Sequence, residues 1–150
     1  MKRLLSIIFI IFLSLTLTSC SHIEDTNGPD DYSLVEISND EIVSGKSYST
    51  SVGKLTTQAG RTIKLKISKF SGVENVQSFK TTNSDITFTV SIEVTQGNFK
   101  AVLVQNNKII HEFNNNQNNQ VVTVSKGTGS VAVYIAGESA KFNLTIEYNN

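Results

Sequence analysis

Residues 86–95 read ITFTVSIEVT. Ile86, Phe88, Val90, Ile92 and Val94 alternate with Thr87, Thr89, Ser91, Glu93 and Thr95. Successive side chains of an extended chain point to opposite faces, so this stretch has one apolar face and one wet face. Its β-branched content favours the same conformation. Period two recurs on both sides. Ile63, Leu65 and Ile67 alternate with Lys64, Lys66 and Ser68. Val131, Val133 and Ile135 alternate with Ala132, Tyr134 and Ala136, and Phe142, Leu144, Ile146 and Tyr148 with Asn143, Thr145 and Glu147. No segment after residue 20 offers a helical period.

Turn residues punctuate these runs. Ala59-Gly60 and Asn83-Ser84-Asp85 each precede a strand-like run. Gln96-Gly97-Asn98, Asn106-Asn107, Lys126-Gly127-Thr128-Gly129 and Gly137-Glu138-Ser139 read as short hairpin loops. The pattern predicts an all-β domain of seven to nine short strands: a single antiparallel β-sandwich, jelly-roll or Ig-like. Phe70, Phe79, Phe88, Phe99, Phe113 and Phe142 fall among apolar strand residues and are assigned to the core. Tyr48 and Tyr134 have small or polar neighbours on their own face and are expected to be exposed.

The chain has 150 residues, one domain's worth, with 13 Lys+Arg against 13 Asp+Glu. One Cys excludes an internal disulfide and a cysteine-cluster metal site. A balanced charge does not fit a globally basic nucleic-acid binder. The charges are nevertheless segregated. Residues 21–41 hold seven acids and no Lys or Arg, and residues 42–73 hold six bases and no acid.

The N-terminus has a different character. Lys2 and Arg3 precede an uncharged run from Leu4 to Leu17, LLSIIFIIFLSLTL. Such a run is about 21 Å long as a helix, short of a bilayer core of about 30 Å, and has the form of a secretory leader. It ends in Leu17-Thr18-Ser19-Cys20, which resembles the lipobox of bacterial lipoproteins. That resemblance covers residues 1–20. It implies cleavage before Cys20 and attachment of acyl chains to its thiol. Two or three chains on one cysteine anchor a protein stably, whereas one binds only marginally. Residues 1–19 are then a cleaved signal peptide, and the expected location is a bacterial cell membrane or outer membrane, facing outside the cytoplasm. Ser21 lacks the Asp that would favour inner-membrane retention in Gram-negative sorting.

Residues 20–31 are then the lipidated Cys and an acidic tether, SHIEDTNGPDD after the cysteine. Residues 32–150 are the β-domain, with YSLVEI (Tyr32–Ile37) as a first strand and Asn39-Asp40-Glu41 turning after it.

Catalytic motifs are not found. There is no G-x-S-x-G elbow, no H-E-x-x-H and no phosphate-cradling glycine loop. His22 lies beside the anchor. His111 and Glu112 are strand neighbours and point to opposite faces. Glu24-Asp25 and Asp30-Asp31 lack EF-hand spacing and read as a solvated tether. The chain is thus expected to be no enzyme and to need no metal or cofactor.

Two features invite a partner. Seven consecutive amides, Asn114 to Gln120, read as a polar hairpin loop. Amides could also bind sugar hydroxyls. Lys64 and Lys66 share the wet face of one strand, with Lys54, Arg61 and Lys69 near it. This group is the candidate anionic-contact face, for lipid headgroups, a wall polymer or an acidic partner. Lysines also guard edge strands against aggregation. The expectation is a membrane-anchored, non-catalytic binding module of the cell envelope, its target an envelope protein, wall polymer or glycan. The alternative is an accessory or protective lipoprotein, of inhibitor or immunity type, acting by protein contact.

Overall fold

The computed structural model describes residues 37–149. The leader, the Cys20 lipobox, the tether and all of the expected first strand except Ile37 lie outside the described residues. Ile37 belongs to no strand. The element order is α1 (Asn39–Val43), β1 (Tyr48–Val52), β2 (Leu55–Ala59), β3 (Thr62–Lys80), β4 (Ile86–Gln105), β5 (Lys108–Phe113), β6 (Gln120–Val124) and β7 (Ser130–Asn149).

All strand pairings are antiparallel. β7 lies between β3 and β4; β1 and β2 share the outer edge of β3, and β5 and β6 share that of β4. The three long strands cannot be straight. Phe79 pairs with Val131 at the start of β7. Tyr148 lies 17 residues further along β7, or about 56 Å at about 3.3 Å per residue. Yet the rings of Phe79 and Tyr148 are 4.7 Å apart, and those of Phe79 and Phe88 are 5.1 Å apart. The sheet is therefore folded over on itself.

The fold line runs through register shifts in β3 between Ile67 and Gly72 and in β4 between Val94 and Asn98. Local chemistry permits the bends. Gly97 has φ +73°, and a Cβ there would stand 2.5 Å from the carbonyl oxygens of Glu138 and Ser139. A side chain would hold β4 away from β7 where both must turn.

The result is two leaves. The first contains β2, residues 62–67 of β3, 142–149 of β7, 86–94 of β4, and β6. The second contains β1, residues 70–80 of β3, 130–140 of β7, 98–105 of β4, and β5. The main core lies between them and includes Leu65, Phe88, Phe142 and Leu144 from the first leaf and Phe79, Phe99, Leu103, Phe113 and Ile135 from the second. All six assigned phenylalanines are buried. A second cluster covers the outer face of the second leaf, where Ile42 of α1 packs with Val73, Val102, Val104, Tyr134 and Ala136.

The expected all-β antiparallel sandwich is present, but both leaves belong to one sheet. Lys126-Gly127-Thr128-Gly129 joins β6 to β7, which do not pair with each other, so it closes no hairpin. Two further expected hairpin loops, Gln96-Gly97-Asn98 and Gly137-Glu138-Ser139, lie inside β4 and β7. Polar triplets with glycine serve a bend as well as a reversal, and β7 and β4 pair continuously around them. The seven strands are within the expected number, but three of them are longer than expected. Asn106-Asn107 does close a two-residue hairpin. Both residues have positive φ, 52° and 56°, as a tight hairpin turn with matching twist requires.

The expectation of no helix is corrected by α1, and the expected turn at Asn39-Asp40-Glu41 is part of it. Ser38 and Glu41 form a capping box. Glu41 N donates to Ser38 Oγ at 3.3 Å and Ser38 N donates to Glu41 Oε2 at 3.2 Å. Five residues are too few for a period, so only the cap could announce this helix.

Candidate functional site

Among the described residues nothing covers the outer face of the first leaf. Lys64, Thr145 and Ser91 form one row across β3, β7 and β4, and Lys66, Asn143 and Glu93 the next. Asn143 Nδ2 donates to Glu93 Oε2 at 2.7 Å, which fixes the amide. A shallow groove of about 230 Å³ runs here, walled by Leu55, Thr57, Lys64, Lys66, Asn143 and Thr145.

Of the five candidate contact residues, the structure brings two together on this face. Lys64 and Lys66 are exposed side by side. Lys54 lies at the break between β1 and β2 and forms an ion pair with Glu74. Arg61 lies in the β2–β3 turn and donates to Asn149 Oδ1. Lys69 lies at the bend of β3, paired with Val52. Glu93 and Glu147 share the face with the two lysines, so its charge is mixed. Charges close in sequence are dispersed because the strand bends between them.

The β1–β2 edge differs from the opposite one. Every residue of both strands is exposed, including Val52 at 65% and Leu55 at 63%. From Tyr48 to Ala59 the only charged residue is Lys54.

The amide tract does not make a hairpin, because β5 and β6 both pair with β4 and not with each other. It is the crossing from one leaf to the other. Along the way it satisfies the edge of β4 where no strand lies. Ile92 N donates to Gln117 O at 3.0 Å, Val94 N to Asn116 Oδ1 at 2.7 Å, and Asn115 Nδ2 to Phe99 O at 2.8 Å. Gln120 closes the loop, accepting from Asn114 N at 2.7 Å and donating to Asn114 O at 2.8 Å. Asn116 and Asn119 have positive φ, a conformation asparagine tolerates better than most.

Tyr48 is half-exposed, as expected, whereas Tyr134 is only 8% exposed. Its neighbours Ala132 and Ala136 are small because α1 and Ile37 pack over them. Tyr48 OH donates to Glu41 Oε1 at 3.1 Å. That hydrogen bond, with some desolvation and the nearby negative charge, raises the phenol above its ordinary value of 10.0.

Beside this contact is a second depression of about 230 Å³, which sequence reading missed. It is lined by Ile37, Glu41, Tyr48, Ser71 and Glu138 around Gly72 and Gly137. Its residues come from four separate stretches and carry no common motif. Register pairing of Gly72 with Gly137 is what unites them.

His111 stacks edge-on against Phe113 at 4.8 Å. Among the described residues no group of three His, Cys, Asp or Glu could hold a metal, and no helix is long and apolar enough to cross a membrane. Comparison of the chain with known protein families, characterised proteins and solved structures gives no match.

Proposed function

We propose that this protein is a lipid-anchored component of a bacterial cell envelope whose β-domain is a non-catalytic binding module. The observation that carries the anchor is the run from Lys2 to Cys20: charge, apolar length, lipobox and cysteine in the right order. The acyl chains on Cys20 hold the protein at the membrane. The acidic stretch after it sets the domain off from the surface.

Support for a binding role comes from the first leaf. Its groove offers two ammonium groups, two threonine hydroxyls and a fixed amide over about 230 Å³. These are donors suited to the anionic or hydroxylated groups of a wall polymer, glycan or lipid headgroup. Each Lys near an anionic membrane contributes about 1 kcal/mol. The runner-up, an inhibitor or immunity-type protein acting by protein contact, draws on the exposed β1–β2 edge. An edge of that kind can accept an added strand.

Two experiments test this. Radiolabelled palmitate should enter the wild-type chain and not Cys20→Ala, and the variant should leave the membrane fraction. Acyl-free protein lacking residues 1–20 should bind anionic vesicles or wall polymer in a salt-sensitive way. Binding indifferent to salt and to Lys64→Glu with Lys66→Glu overturns the first-leaf surface. Release of protein partners alone in a membrane crosslinking experiment would favour the runner-up.

A further inference from the structure

The β1–β2 edge is open along both strands, and every residue of both is exposed. Among the described residues five large apolar side chains are exposed, and three of them, Tyr48, Val52 and Leu55, belong to this edge. An open edge offers its unpaired backbone N–H and C=O groups to any other strand, and proteins guard such edges with charges or proline. Neither strand contains a charge or a proline. The opposite edge differs. There β5 carries Lys108 and Glu112, and β6 has Gln120 and Val124 buried at its ends.

The side chains of β1 are self-complementary. Its sequence is Tyr48-Ser49-Thr50-Ser51-Val52. Laid antiparallel on a second copy with Thr50 opposite Thr50, it sets Tyr48 against Val52 and Ser49 against Ser51. Aromatic rings against β-branched side chains, and hydroxyls against hydroxyls, are favourable cross-strand pairs. Charge does not oppose this register. The nearest like charges across the axis, Lys46 of one copy and Lys54 of the other, lie beyond the paired residues, and Lys54 is held by Glu74. β2 fits the same axis. Val52 and Leu55 flank the bend, paired with Lys69 and Lys66 of β3. Thr50 and Thr57 each stand two residues further out, so they are equally far from the bend. About Thr57 the pairs are Leu55 with Ala59 and Thr56 with Gln58, again without a charge.

We infer that this edge is the interface of a two-fold dimer, in which β1 pairs antiparallel with β1 of a second copy of this chain about Thr50. The second leaf continues across the axis into that of the other copy, and the exposed Tyr48 and Val52 cover each other. Both copies use the same surface, so the assembly closes at two. The inference does not rest on the Lys64–Lys66 groove.

The test is disulfide trapping in membranes of cells making the full chain. Wild type, whose one cysteine is Cys20, sets the background. Thr50→Cys should give a homodimer under mild oxidation. Tyr48→Cys and Val52→Cys should each give roughly tenfold less alone, because each lies about 13 Å along the strand from its own counterpart and out of disulfide reach. Made together in one cell, these two should trap a mixed dimer. Differently tagged copies of Thr50→Lys, or of Thr50→Glu, should not co-purify from uncharged detergent, because like charges directly opposite destabilise a pair. Thr50→Lys with Thr50→Glu should co-purify as wild type does, which shows that neither variant is misfolded. Equal trapping at all three positions reports random collision and overturns the proposal. So does the absence of any homodimer, and trapping of Thr50→Cys to a different protein alone would assign the edge to a foreign strand.

Discussion

The two leaves share three strands and differ in what covers their outer faces. On β7 the first leaf shows Asn143, Thr145 and Glu147 to water. The second shows Ala132, Tyr134 and Ala136, all beneath α1 and Ile37. The same strand thus changes from half-wet to buried on both sides within its own length. A strand buried on both faces reads as a continuous apolar run, and VAVYIA at 131–136 is one. Cover is thus assigned leaf by leaf and not strand by strand. The two outer faces differ in character: one is an open polar sheet face, and the other has a helical cover with depressions at its margin.

The largest effect should come from what the leaves share. Phe142→Ala removes a ring that touches Phe70 and Phe99 between the leaves. It should cost about 3–5 kcal/mol, read as a fall in the urea midpoint. Next is the cover of the second leaf. Ile42→Ala should cost about 2–3 kcal/mol and increase binding of an apolar dye, while the strand signal in circular dichroism remains. If dye binding does not rise, α1 is not the lid on that face. Ser38→Ala takes away only the cap and should cost about 1 kcal/mol, in the same direction as Ile42→Ala. Lys64→Gln on the open face should change stability by no more than about 0.5 kcal/mol.

The smallest effect is a titration. In the native state the Tyr48 phenol is raised by its hydrogen bond to Glu41. The neutral phenol is therefore favoured by folding. Its stabilising contribution is complete below pH 10 and fades as the pH rises through the raised native value. In absorbance at alkaline pH, Glu41→Ala should bring the Tyr48 titration back toward the ordinary value. An unchanged curve would remove the link between α1 and β1.

Much of the fold was legible in the alternation at 63–67, 86–95 and 142–148, because one wet face per strand leaves a period of two. Asn106-Asn107 was legible because two adjacent residues of the type that tolerates positive φ have few uses besides a tight turn. The bends were not. Gly97 and Gly137 permit a bulge or a hairpin equally, and only the pairing with β7 decides. The capping signature Ser38-x-x-Glu41 was present but had no apolar period behind it. Of the candidate surface, Lys64 and Lys66 could be placed together because i and i+2 share a face. Lys54 and Lys69 could not, since their direction depends on a break and a bend. The Glu138 depression depends on register between distant strands, which single residues do not encode.

The middle position of β7 has a consequence for how the protein comes into being. The strand that joins β3 to β4 comes last in sequence order among the described strands. Until it arrives, β3 and β4 have no common partner and the interior has no centre. The contacts it closes link residues far apart in sequence, which slows folding. A growing chain of this design stays open until β7 has been made. Loss of even the final strand would leave two unjoined edge systems and no domain at all.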